Sequence, residues 1–503
     1  MAGRGLGFVR KLTLLIRCGI CCAALSGGPA AISATRPPDL DAPAAAVRPL
    51  RRVDIDLLDD LSRRSFRYFW EQTDVNTGLV MDRALARGSH GGRPDRQGVA
   101  SIAATGFGLA GWCVAAEHHW ISHEIARQRV LAALRLFTYT TPQQHGWFYH
   151  YLDPETGARA WQSEVSSIDT ALLLAGVLTA RECFHNDPDI VDLATNIYNR
   201  VDFPWMMDGS QMYFSHGWTP EKGFLRYRWN TYSELLILYV LGIGSPTHPI
   251  SPRTWDAWRL PIVGVGGYTY VGGGPLFIHQ YSLAWIDLRD RFAEEPPAAN
   301  PTVVRLDSLL PRRNYHLNYF ANSVVATRAQ QELFSKQLSR EFSGYSRNVW
   351  GVTASDSTKG YTDWGASPTD GRIDGTVVPS AAAGSLMFTP DICIPAMRTM
   401  LVRYGTKVYG RYGFVDAFNP MTGWVSRYVI GIDMGITLLS AENLRTGSVW
   451  QWFMNNPEPE RALDLVGLLS IRHPLENYQI PPSLLNSQPS QKDFVLRLGQ
   501  AGK

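Results

Sequence analysis

Residues 100–118 read ASIAATGFGLAGWCVAAEH. The stretch is long enough for a helix and has no polar face. A helix that is apolar all round must be buried all round. Its Gly and Ala residues allow neighbouring backbones to come close. Residues 167–185 (SIDTALLLAGVLTARECFH) and 230–243 (NTYSELLILYVLGI) have the same character. Each of the first two is followed by a more amphipathic stretch, 121–137 and 188–202, whose apolar residues recur at helical spacing. Further helical segments are expected at 55–70, 275–288, 316–341, 380–388, 391–404, 433–444, 448–455 and 457–468. That is about a dozen helices, broadly in pairs, with apolar inner members and amphipathic outer ones. Two concentric rings of helices satisfy this pattern. The expected fold is all-α, an (α/α)6 barrel or toroid, with one small β-hairpin at 147–161 (FYHYL, the turn DPETG, then ARAW) and long rim loops. A plain helical solenoid is the alternative, but no short repeat is visible.

Composition supports a large buried core. The chain has 503 residues, 45% of them hydrophobic and 18% charged, which excludes a disordered protein. The net charge of +3 is spread evenly, without the basic patch that nucleic-acid binding requires. Residues 1–34 have the pattern of a secretory signal, with Arg4, Arg10 and Lys11 ahead of a short apolar stretch and small residues near 31–34. A Pro- and Ala-rich linker (35–52), one catalytic domain (53–475) and a C-terminal tail (476–503) follow. The signal is too short and too charged to span a membrane, so no span is expected in the mature chain. A bacterial periplasmic or secreted location fits. Cys18, Cys21 and Cys22 fall in the signal. Cys113, Cys183 and Cys393 remain, in apolar contexts that suit buried thiols.

The loops are unequal. Those at 140–166, 205–230, 344–379 and 410–432 are long and rich in Gly, Trp and Asp. In a toroid they gather on one rim, at the N-termini of the inner helices, where function tends to collect. Carboxylates stand at these junctions: Glu164, Asp169, Glu234, Asp363, Asp374 and Asp433. Glycoside hydrolysis needs two carboxyl groups flanking one bond. Glu234, among Trp229, Tyr232, Leu235 and Leu236, is the candidate acid, because apolar burial raises a carboxyl pKa. Glu164 and Asp169 are candidates for the second carboxylate. The plainer alternative is helix capping: Thr231–Glu234 and Ser166–Asp169 both match the capping box. The 16 Trp suggest flat platforms for sugar rings. Trp147, Trp161, Trp229, Trp350, Trp364 and Trp424 are the candidates, with Tyr232, Arg228 and Arg427 for further substrate contacts. No phosphate loop or serine-hydrolase elbow is present, and no CxxC metal spacing survives removal of the expected signal. His118, His119 and His123 read as surface residues. No cofactor or metal is expected.

Several strings, in order, are familiar: WQSEVSSIDTALLLAGVLTARECF, RYRWNTYSELLILYVLGIGSPTHP, GPLFIHQYSLAWIDLRD, WGVTASD, IDGTVVPSAAAGSLMFTP, YGRYGFVDAFNP and IGIDMGITLLSAENLRTGSVWQWFMNNPE. Together they resemble the bacterial glucoamylase-like domain, with the resemblance extending over roughly residues 55 to 470. That group includes the family 144 β-1,2-glucanases and the related domain of cyclic β-1,2-glucan synthases. The resemblance implies an (α/α)6 barrel, a β-glucan or oligosaccharide substrate, plausibly β-1,2-linked, and hydrolase or transglycosylase activity. It also implies that the Glu of the Tyr-x-Glu turn, here Glu234, is a catalytic carboxylate. The family 144 endo-glucanases carry a DNGGDLVET-like run where this chain has WQSEVSSIDT. Their acidic positions become Gln162, Ser166 and Asp169, so one acid is retained and Glu164 is new. Two other readings share these features: a polysaccharide lyase, with Tyr232 or a His as base, and a non-catalytic glycan-binding protein.

Overall fold

The computed structural model describes residues 50–88, 98–293, 317–365 and 370–470. The expected signal, nearly all of the linker and the tail lie outside the described residues, as do Cys18, Cys21 and Cys22. The described helices are α1 (Arg52–Gln72), α2 (Ile102–Glu117), α3 (His123–Tyr139), α4 (Ser167–Cys183), α5 (Pro188–Asn199), α6 (Phe203–Met206), α7 (Leu236–Gly244), α8 (Tyr319–Glu332), α9 (Pro379–Ala383), α10 (Pro390–Tyr404), α11 (Gly431–Arg445), α12 (Ser448–Met454) and α13 (Pro457–Leu465). The strands described are two to four residues long and form small antiparallel sheets. The chain is all-α, with β-structure confined to connections.

Burial follows the sequence pattern. Residues 102–116 of α2 are all buried, and so is every residue of α7. Helices α2 and α4 pack against each other, and small residues set how closely. A Cβ on Gly176 would lie 2.0 Å from Gly106 O, and one on Gly106 would lie 2.3 Å from Leu172 O. Only glycine fits either position. Each large apolar side chain sealed here, such as Phe107 or Leu173, contributes roughly 1.5–3 kcal/mol relative to exposure.

The neighbours of α2 and α4 extend both ways. Helix α2 packs on α11, α11 on α9, and α4 on α7. Between α7 and α9 stands the segment 276–284. The expected helix over 275–288 is instead two 3₁₀ turns, Leu276–His279 and Ser282–Ala284. Ser282 Oγ accepts from Ile237 N at 3.0 Å on one side, and Gln280 Nε2 donates to Ala381 O at 2.9 Å on the other. Contacts therefore pass from α2 through α4, α7, the 276–284 segment, α9 and α11 and return to α2. The more amphipathic helices lie behind: α3 on α2, α5 on α4, α13 on α7, α10 on α9, and α1 and α12 on α11.

The expected hairpin at 147–161 is divided. Its turn forms, with Asp153 Oδ1 accepting from Glu155 N and Thr156 N and a bridge between Leu152 and Arg159. Its strands pair elsewhere, Trp147–Phe148 with Gln143–Gln144 and Tyr151–Leu152 with Ala100–Ser101. The second pairing sets residues 148–152 against the entrance of α2.

Candidate active site

The entrance of α4 builds one half of the site. Strand Val165–Ser166 pairs with Gly217–Thr219, and Ser166 caps α4, accepting from Asp169 N at 3.3 Å. Its hydroxyl donates back to Asp169 Oδ2 at 2.5 Å, so the Ser166 half of the expected capping box forms, while Asp169 bonds the Ser166 hydroxyl rather than its backbone N–H. It leaves the other carboxylate oxygen free to face His150, whose Nε2 lies 3.5 Å from Asp169 Oδ1. On its opposite edge His150 Nδ1 meets Glu164 Oε1 at 2.9 Å. The imidazole is held between two carboxyls and stacks on Tyr151 at 3.9 Å.

Burial alone would depress the His150 pKa, but Asp169, Glu164 and Asp82 overcome it and raise the value to about 9. His150 is therefore an imidazolium at neutral pH. Burial pushes Glu164 up, but the hydrogen bond and charge of His150 outweigh it and hold the group below the ordinary glutamate value. Asp169 ends above its ordinary value: burial raises it, and His150 and Ser166 only partly offset that.

Glu234 forms the facing half. Helix α7 begins at Leu236, without a side-chain cap, so Glu234 lies in the turn before it and the expected Thr231–Glu234 capping box does not form. Thr231 is engaged elsewhere, bridging to Arg259 in parallel register and accepting from Arg259 Nη2 at 3.0 Å. Ser282 anchors the turn, its hydroxyl donating to Glu234 O. The residue keeps some exposed surface while its carboxyl sits in a crowded setting. Burial, followed by the nearby Asp169 charge, lifts the pKa of Glu234 to about 7. Burial outweighs the hydrogen bonds that favour the charged form.

A third group of acids joins the same region. Asp433 stands in the first turn of α11, and Asp416 lies on the preceding loop. Asp416 Oδ2 accepts from Asp356 N at 2.6 Å. Asp356 in turn takes Arg83 Nη1 at 3.2 Å and Ser426 Oγ at 3.1 Å. Burial, followed by neighbouring charge, raises Tyr281, which lies in the fields of Asp433, Asp416 and Glu234; Tyr361 is raised likewise and feels Asp433, Asp416, Asp82 and Tyr151. Both tyrosines thus lie within the electrostatic reach of several of these acids. Burial sets Asp433 at about 7. Burial also raises Asp416 well above its ordinary value, with help from the neighbouring Asp433 and Asp356. Sequence reasoning placed Asp433 on the rim but missed Asp416, Asp82 and the clamping role of His150. The Asp in YGFVDAFNP was the signal available for Asp416.

The expected sugar platforms divide sharply. Trp147 and Trp350 are fully buried and Trp364 is 2% exposed. The indole nitrogen of Trp147 donates to Asp202 O, and that of Trp364 to Ser355 Oγ. None offers a free face, so these three belong to the core, where a large apolar ring gains most from burial. Trp229 is nearly buried, stacks on His216 at 3.9 Å and donates to Ser167 Oγ at 2.8 Å, so it braces the site wall. Tyr232 is also buried, its hydroxyl 3.1 Å from His279 Nδ1. Arg228 pairs with Asp208 at 2.6 Å, Trp424 is half-buried and Arg427 is exposed. Trp161 alone among the six is openly exposed, at 68%. It and Gln162 both take left-handed backbone, φ +55° and +53°, a conformation that costs non-glycine residues energy and clusters at functional sites. Away from the site, Asp363 pairs with Arg372 at 2.6 Å and His118 with Glu442 at 2.8 Å.

Comparison with known proteins bears on this geometry. Residues 226–457 match the family model described as "Putative glucoamylase". An exo β-1,2-glucooligosaccharide sophorohydrolase (non-reducing end) of Parabacteroides distasonis is 26% identical over 454 residues, 82% of this chain. The chain spans 58% of that protein's length. Among solved structures, the endo-β-1,2-glucanase of Chitinophaga pinensis in complex with sophorotriose and glucose superposes with a TM-score of 0.73 at 25% identity, covering 83% of this chain and 99% of that one. A β-1,2-glucanase of Parabacteroides distasonis gives 0.71 at 26% identity, covering 83% of this chain and 60% of that one. These findings show the resemblance to the glucoamylase-like family that the sequence strings carry.

Proposed function

We propose that this chain is an exported glycoside hydrolase of (α/α)6 architecture that cleaves a β-1,2-linked glucan. Glu234 is the general acid, and Asp169 is the carboxylate acting with it. The observation that carries this reading is the Glu234 carboxyl, lifted to about 7 by burial with Asp169 nearby. A carboxyl at that value keeps a proton at neutral pH and can pass it to a leaving oxygen, which is the requirement for general acid catalysis. The relatives named above act on β-1,2-linked glucans, and the closed circuit of buried segments suits six α/α hairpins. His150 fits as a fixed cation that keeps Asp169 and Glu164 from repelling each other beside the bond to be broken. Trp161 fits as a stacking surface for a sugar ring.

A second choice of partner for Glu234 is Asp433, favoured by its place beside Tyr281, which also faces Glu234. The test is product analysis on linear β-1,2-glucan with wild type, Glu234→Gln, Asp169→Asn and Asp433→Asn. Glu234→Gln is expected to lose about a thousandfold or more in kcat with an unchanged melting temperature, the general-acid contribution of ~10²–10⁴ setting the scale. Wild-type turnover by Glu234→Gln would sink the assignment. Release of unsaturated products would replace it with a lyase. Binding without turnover by wild type on any linkage would point to a glycan-binding protein.

A further inference from the structure

Behind Asp416 and Asp433, on the side facing α1, lies a small closed cavity. Ser65 of α1, Ser380 of α9, Asp416, Asp433 and Thr437 line it, with Leu61, Ala383, Phe414 and Met434 among the apolar walls. Its free space for the centre of a water-sized sphere is about 10 Å³, close to the least that admits one water molecule. Three polar atoms at its wall have no hydrogen-bond partner in the protein: Ser65 Oγ, Ser380 Oγ and Asp416 Oδ1. Ser65 is fully buried, Ser380 is 5% exposed and Asp416 1%. The Ser380 hydroxyl lies beside Asp433 without closing a hydrogen bond of good geometry. Buried hydroxyls left unsatisfied are costly and rare in native proteins.

The two oxygens of Asp416 are in different situations. Oδ2 accepts from Asp356 N at 2.6 Å. Oδ1 has no donor, and the neighbouring acid is Asp433. Two carboxyl groups hydrogen-bond to each other only when one keeps its proton. The charged groups facing the pair are Asp82, Asp356 and Arg83, with Tyr281 and Tyr361 the nearby phenols. Arg83 is spent on Asp82 and Asp356, at 3.1 and 3.2 Å, so among these described residues no free cation compensates a second negative charge.

We propose that Asp416 is a positioning residue that keeps a proton on Oδ1 and donates it to the Asp433 carboxylate, and that one permanently buried water, bound by Ser65 Oγ and Ser380 Oγ, supports the pair from behind. The proton stays within the pair, and no covalent bond changes. Burial raises both carboxyls above the ordinary aspartate value, as a pair that shares one proton requires. The kinetic part of this inference rests on Asp433 belonging to the active site. The structural part does not.

Two measurements are independent of activity. A high-resolution crystal structure of the full chain is expected to show one water within hydrogen-bond reach of Ser65 and Ser380. An empty cavity, or a cation at short coordination distances, overturns the assignment. Infrared spectra at neutral pH, recorded in a Glu234→Gln background so that the proposed acid does not contribute, are expected to contain a protonated-carboxyl band that Asp416→Asn removes, and persistence of the full band in that double variant overturns the placement of the proton.

The kinetic test compares Asp416→Asn, whose neutral amide can still donate to Asp433, with Asp416→Ala, which cannot. The Asn variant should keep kcat within about threefold of wild type, while the Ala variant should lose tenfold or more and shift its pH profile. Equal loss in both folded variants, or no loss in either, overturns the role of Asp416. If Glu234→Gln retains turnover, the proposed acid fails while the crystallographic and infrared results still decide the pair and its water.

Discussion

His150 is a largely buried residue that its neighbours keep charged. It carries a positive charge because two carboxyls hold its ring edges, at 2.9 and 3.5 Å. Replacing it with Gln removes the cation held between them. Asp169 then loses its stabilising charge, its pKa rises further, and its ionisation moves to higher pH. The acidic limb of the kcat/KM profile on β-1,2-glucan is expected to shift upward by about one unit, the usual size of such a charge effect. An unshifted limb with a lower plateau would mean that His150 only packs. This arrangement was partly legible. Glu164 and Asp169 stood out as acids at a helix entrance, but nothing in the spacing from 150 to 164 showed that a histidine would fold between them. That depends on residues 148–152 being drawn against the entrance of α2 by the pairing of Tyr151–Leu152 with Ala100–Ser101.

At the scale of elements, the inner helices were the most legible. Helices α2, α4 and α7 lack a polar face, and a helix without one has a single place to go. The segment 275–288 was misread because its apolar residues suit a helix, whereas its fold is set by distant partners, Ile237 through Ser282 and Ala381 through Gln280. The tryptophans were misread for a similar reason: a ring in a polar loop can turn inward, as Trp147 and Trp364 do. The Gly106–Gly176 contact gives a sharp test. In Gly176→Ala the added Cβ would meet backbone at 2.0 Å, which no rotamer relieves, so α2 and α4 must separate. The expected cost is about 1–3 kcal/mol or more, read as a lower denaturant midpoint. An unchanged midpoint would show that the two helices are not locked at that distance. At the far end of α4, Arg181 pairs with Glu458 and Asn456 at 2.5 and 2.8 Å, tying α4 to the α12–α13 region.

For the whole molecule, the perturbed groups predict how stability varies with pH. Glu234 and Asp433 titrate near 7 in the folded protein, above an unfolded value of about 4. The stability they contribute is complete below that unfolded value and is lost as pH rises through 7. His150, raised to about 9, contributes stability that is complete below about 6.5 and lost as pH climbs to 9. All three act in the same direction. Two histidines oppose them at lower pH: burial lowers His216 to about 4 and His279 to about 3, so their contribution grows as pH rises to about 6.5. The melting temperature is therefore expected to fall from pH 7 to pH 9, and a flat or rising curve in that window would contradict these assignments.

The place of α11 has a consequence of another kind. This helix lies late in the chain, at Gly431–Arg445, yet packs against α1 and α2, which are made first. The faces of α1 and α2 that meet α11 therefore stay uncovered until more than 300 further residues have been synthesised, a separation given by the numbering itself. Contacts this distant in sequence form slowly, because a large loop must close before they are rewarded. A nascent chain interrupted before α11 cannot complete its core and depends on holding factors to avoid aggregation. That delay would also suit a protein carried across a membrane unfolded, leaving it threadable until its last helices emerge.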